Sequence, residues 1–165
     1  MQISTEAFNR ISSCNRVAYL HCNTDSIQLS ALEEIGELST EISIKNHWKN
    51  RQPSSDGILG ECVDVFICLA SIGLFEEPDF ANELNHQLKM LFLLKSGEQY
   101  DLRINELDYI KRITNSVFDD GELPSITCML TVDMFLRNGG TVETFLERLN
   151  NKITKWENNN VQSGH

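Results

Sequence analysis

Apolar residues recur along most of this chain at intervals of three and four, the period of an amphipathic helix. Phe8, Ile11, Val17 and Leu20 mark a first helix over residues 5–20. Asn23, Thr24, Asp25 and Ser26 break the pattern, and any of the last three can cap the next helix. Residues 27–46 carry the clearest stripe: Ile27, Ala31, Ile35, Leu38 and Ile42. A polar, basic loop over 45–57 comes next, punctuated by Pro53 and Gly57. Residues 58–74 are nearly all apolar, and that length favours a buried helix over a strand. Helical spacing returns over 79–95, 104–118 and 125–137. Thr141 caps a last helix over 142–157, and the tail 158–165 is expected to fray.

The pattern predicts an all-α fold: a helical bundle with a four-helix core, extended by an additional helical segment over 76–137. The whole forms a single domain, residues 1–157. Three prolines and nine glycines in 165 residues leave long helices uninterrupted, which argues against a turn-rich β fold. One internal echo is visible. Gly60-Glu61-Cys62-Val63-Asp64 before one apolar helix resembles Gly121-Glu122-Leu123-Pro124-Ser125 before another. It reads equally as a duplicated hairpin or as chance.

Charge narrows the partners. The net charge of -10 repels polyphosphate backbones, so no nucleic acid is expected as a partner. A small phosphorylated ligand stays possible, because a bound cation inverts the local field. The five cysteines, Cys14, Cys22, Cys62, Cys68 and Cys128, form no CxxC pair and sit mostly in apolar runs. They read as reduced and structural, which implies a cytoplasmic setting. The N-terminus lacks a signal pattern, and the longest apolar stretch carries charges, so no membrane association is expected.

The chemistry lies in two helices. With Glu34 set at zero on a helical wheel of about 100° per residue, Glu41 falls near -20° and Glu37 near -60°. The apolar stripe runs from about 20° to 100° on the same wheel. Three glutamates therefore flank the core-facing sector, with Glu33 further out. A solvated acidic face is the ordinary reading. The next helix changes it: between Gly57 and Phe75 the only charged residues are Glu61 and Asp64, three apart on one face. A buried carboxylate must be protonated, ion-paired or metal-bound. Lys45, Lys49 and Arg51 in the loop are the available ion-pair partners. The loop is also short enough to fold the two helices antiparallel. That brings Glu34 and Glu37 toward Glu61 and Asp64, and an all-oxygen cluster suits Mg²⁺ or Mn²⁺.

Glu33-Glu34-Ile35-Gly36-Glu37-Leu38 followed by Glu61-Cys62-Val63-Asp64-Val65 resembles the EExxE…ExxD signature of the MazG-like, all-α nucleoside triphosphate pyrophosphohydrolases. The resemblance covers residues 27–75. It is fainter over 138–157, where Asn151 to Glu157 is similar to the family's late KxxK helix, with Trp156 where an asparagine is common. It implies Glu34, Glu37, Glu61 and Asp64 as metal ligands, and Glu33 or Glu37 as the carboxylate that activates water. It implies Mg²⁺ (Mn²⁺ possible) as cofactor, cleavage between the α and β phosphates of a nucleotide, and a homo-oligomer, dimer or tetramer. Lys152 and Lys155 resemble the family's phosphate-contacting lysines; complementing a helix C-terminus is the alternative.

Lys45, Trp48 and Lys49 form a second basic, aromatic group that can serve as a substrate-binding site. A lone loop tryptophan more often packs on its own domain, so both readings of Trp48 stand. Asn15 on the first helix can meet a base edge. Two rival readings remain: a different nucleotide substrate (a dUTPase or phosphoribosyl-ATP type), and a catalytically silent helical interaction module. A helical di-metal oxidase would need a Glu-x-x-His pair from each of two helices, and the chain has just one, Glu83-Leu84-Asn85-His86.

Overall fold

A computed structural model describes residues 1–18, 24–96, 105–118 and 123–162. The described residues form helices and connecting turns only: α1 (Thr5–Ala18), α2 (Thr24–Lys45), α3 (Gly57–Glu76), α4 (Phe80–Ser96), α5 (Glu106–Ser116), α6 (Pro124–Arg137) and α7 (Val142–Gln162). The all-α expectation holds.

α3 is the axis of the fold. Its sequence is apolar on every side, so every side must be covered. α2, α6, α1, α7 and α4 all pack against it. By length and composition alone α3 could cross a membrane, contrary to the sequence expectation, but most of its surface is buried by these neighbours. Burial pushes the Cys62 and Cys68 thiols of α3 and the Cys128 thiol of α6 upward, so they stay protonated. Cys22 lies outside the described residues.

The segment expected to extend the core instead completes it. α6, drawn from that segment, buries Cys128, Leu130, Val132, Met134 and Phe135 among α3, α4, α5 and α7. The hairpins α2–α3 and α5–α6 face one another, α3 on α6 and α2 on α5. This is the arrangement a duplicated hairpin would produce. Gly121 and Glu122 of the sequence echo lie outside the described residues. Ser125, which matches Asp64 in the echo, is fully buried. α1 and α7 pair alongside, joined by the Arg10–Glu157 ion pair at 2.6 Å.

Close approaches lock the layers. Phe145 of α7 stands edge-on to Phe66 of α3 and Phe135 of α6, at 5.2 and 5.1 Å. Gly73 lets α3 meet α4: a Cβ there would lie 2.2 Å from the Phe80 ring. In the interior, Tyr109 of α5 donates to the buried Asp133 of α6, which also accepts from Arg137 at 2.8 Å. α7 does not fray at 158 as expected but continues to Gln162.

Candidate metal centre

The turn between α2 and α3 sets the register of the site. His47 takes a left-handed backbone (φ 59), and the amides of Trp48 and Lys49 return to the Ser43 carbonyl at 2.8 and 3.2 Å. Further along, Ser54 ties both helices together. Its amide donates to Glu41 Oε1 at 2.9 Å, and its hydroxyl donates to Glu61 Oε1 at 3.2 Å. The same hydroxyl accepts from the Gly57 amide at 2.9 Å, at the start of α3. Glu41 is therefore buried for a structural reason.

Glu34 of α2 and Glu61 and Asp64 of α3 converge, with one carboxylate oxygen from each lying within 4.8 Å of the others. Glu37 is exposed and stands at the edge of the same cleft, outside this trio. Three of the four expected ligands thus meet. Glu33 is exposed and does not line the cleft.

The counter-charge comes from an unexpected direction. Lys45, Lys49 and Arg51 form no ion pair with these carboxylates. Lys152 reaches over from α7, donating to Asp64 and, at 2.6 Å, to Asp56 at the foot of α3. Burial works against the Lys152 ammonium, but the two carboxylates outweigh it and its pKa rises. Asp56, with 45% of its side chain exposed, is pulled below the usual carboxylate range by that lysine. Asp64, with only 22% exposed, is raised: burial exceeds what the same lysine offsets. Burial also raises Glu61, against the Ser54 hydrogen bond. Glu34 is pushed up to about 7 by burial first, then by repulsion from Asp64, Glu37 and Glu61. Among the described residues, neither Glu34 nor Glu61 forms an ion pair, so one lysine faces three carboxylates.

The donor set suits a small hard cation. Three carboxylate oxygens within 4.8 Å of one another leave room between them for one such ion, and all-oxygen donors are what Mg²⁺ or Mn²⁺ takes. The cleft around the trio measures about 460 Å³, within the range of small-molecule sites.

Lys152 and Lys155 line this cleft as expected. The loop group does not. Lys45 is held by Glu106 and Asn138 at 2.6 and 2.8 Å, and Lys49 donates to Thr40 at 3.2 Å. Both lie in a separate cleft with Arg51. Trp48 is 73% exposed and neither packs on the domain nor faces the trio. Asn15 does not line the cleft. Sequence reasoning missed Asp56, Ser54, Trp156 and Asn159. The last two were detectable: from Lys152, positions 155, 156 and 159 recur at helical spacing on one face. Asp56 and Ser54 carried no periodic signal.

No protein-family model, curated protein or solved structure matches the chain.

Proposed function

We propose that this chain is a Mg²⁺-dependent nucleotide pyrophosphohydrolase of the MazG-like, all-α kind, converting a nucleoside triphosphate to the monophosphate and pyrophosphate. The observation that carries the reading is the convergence of Glu34, Glu61 and Asp64 in a cleft that also presents Lys152 and Lys155. Two helices bring three carboxylates together at the expense of burial and mutual repulsion, and of the three just Asp64 has an ion-pair partner among the described residues, Lys152, which it shares with Asp56. A divalent ion held there supplies charge neutralisation at phosphate oxygens and a more acidic bound water.

The chain's own groups divide the remaining work. Lys152, released from Asp64, and Lys155 bind phosphate oxygens. Glu37, at the cleft edge and outside the trio, accepts the proton of the attacking water. The water oxygen bonds to the α phosphorus, the α–β anhydride bond breaks, and pyrophosphate leaves with that electron pair. A homo-oligomer and a cytoplasmic setting belong to the same proposal.

One observation favours the silent interaction module: Lys152 already pairs with Asp64. That pairing leaves Glu34 and Glu61 uncompensated, which is why the metal reading is preferred. The deciding experiment incubates the protein with NTPs and dNTPs, with and without Mg²⁺, and assays pyrophosphate. Release that needs Mg²⁺ and is lost in Glu34→Gln and Asp64→Asn supports the enzyme. No release with any nucleotide, and no thermal shift with Mg²⁺ or Mn²⁺, rejects it.

A further inference from the structure

The cleft is not uniform along its length. Positions 148, 152, 155, 156 and 159 fall on one side of α7, at i, i+4, i+7, i+8 and i+11. Arg148 to Asn159 spans roughly 16 Å at about 1.5 Å per residue. Charge is sorted along that line. Arg148 lines two further clefts, of about 490 and 680 Å³, and both meet the metal cleft at Asp56. Lys152 sits in the middle, on Asp64. Beyond Lys155 the lining changes character, with Trp156 and Asn159 from α7 facing Ile27 of α2 and Ile67 of α3 around the same cavity.

The two ends suit different chemistry. A phosphate carries heavily hydrated charge and gains nothing among isoleucines and an indole. A flat heteroaromatic ring stacks on an indole face. In a chain of net charge -10, cations at 148, 152 and 155 make the opposite end the place for anions.

We infer that the nucleoside part of the substrate lies in the apolar end of the cleft, stacked on Trp156. Its polyphosphate runs back along α7, past Lys152 toward Arg148. This rests on the nucleotide reading above and adds a direction to it. Trp156 becomes the residue on which the base rests, and Arg148 stands on the polyphosphate side.

The test uses the indole itself. The chain has two tryptophans, and Trp48→Phe leaves Trp156 as the sole reporter. That protein is titrated, in Mg²⁺, with α,β-imido analogues of each nucleoside triphosphate and separately with inorganic tripolyphosphate, while calorimetry tracks binding. Saturation with a preferred analogue is expected to quench Trp156 emission, because the base stacks on the indole, and tripolyphosphate to leave it unchanged. Trp156→Ala should weaken the analogue about 10-fold, and tripolyphosphate not at all, given a stacking contribution of about 1–3 kcal/mol per base. Trp156 also touches the core, so if that variant misfolds the titration of the intact indole decides. Equal quenching by tripolyphosphate, or calorimetric binding of an analogue with no change in emission, overturns the inference and leaves the nucleotide reading standing. Absence of binding by every analogue removes both.

Discussion

Lys152 and Asp64 share a hydrogen bond across the gap between α7 and α3, and that bond is the one cationic brace inside a cluster of three carboxylates. The ammonium stands where positive charge is needed, and Asp56 holds it from the other side at 2.6 Å.

Removing it should expose the repulsion directly. Lys152→Met is expected to cost about 1–3 kcal/mol in a metal-free buffer at pH 7.5, because a partly buried carboxylate loses its charged partner. Thermal unfolding in chelator should show a fall of several degrees. Millimolar Mg²⁺ should restore more of the loss in the variant than it adds to the unaltered chain. Equal Mg²⁺ responses would contradict the arrangement.

Glu34 gives the pH dependence. Its carboxyl titrates near 4.5 when unfolded but at about 7 in the fold. Between those values the folded state holds a proton that the unfolded state has released. This contribution to stability is therefore complete below about 4.5 and disappears as pH rises through about 7. Glu61 and Asp64 are shifted in the same direction. In chelator, melting temperature should decline from pH 5 to 7.5. Glu34→Gln should flatten that decline and also remove most of the Mg²⁺-induced stabilisation. A melting temperature that rises over this interval in the unaltered protein would refute the assignment.

Gly73→Ala tests the contact between α3 and α4. The added Cβ would sit 2.2 Å from the Phe80 ring, so the ring or the helix must shift. A loss of about 1–3 kcal/mol is expected from overpacking, seen as a lower denaturant midpoint. Mg²⁺ binding should be unaffected, since the carboxylates lie toward the other end of α3.

Tyr109→Phe separates interior polarity from site polarity. It deletes a donor to the fully buried Asp133 and should destabilise by about 1–3 kcal/mol. Calorimetric Mg²⁺ affinity should not change.

Helix spacing alone makes most of the fold legible in the sequence. The apolar run around Phe66 demanded a central helix, and the isolated pair Glu61 and Asp64 within it demanded compensation. Two carboxylates three apart in an apolar segment are a local signal, and so is the stripe of Glu34 and Glu37 beside Ile35 and Leu38. What stayed hidden was long-range. Lys152 lies 88 positions from Asp64, and no periodicity connects them. The loop cations stood out as the nearer partners only because sequence distance took the place of spatial distance; Lys45 in fact turns to Glu106. Trp48 and Trp156 show the same failure. The basic neighbourhood of Trp48 suggested a ligand, yet it is Trp156, in an unremarkable polar stretch, that borders the cleft. The place of α6 was equally invisible, because an apolar helix does not announce which neighbour it will cover.

The double grip of Ser54 on Glu41 and Glu61 makes the α2–α3 connection a gauge block as well as a tether. Residues 50–52 are exposed, and an epitope tag or a reporter domain spliced there spares both the turn at Ser43 and the Ser54 bonds to Glu41 and Glu61. The same splice just after Ser54 would instead part the serine from Gly57 and Glu61, its partners at the start of α3. A connection that looks uniformly polar from outside therefore has one stretch open to engineering and one that is closed.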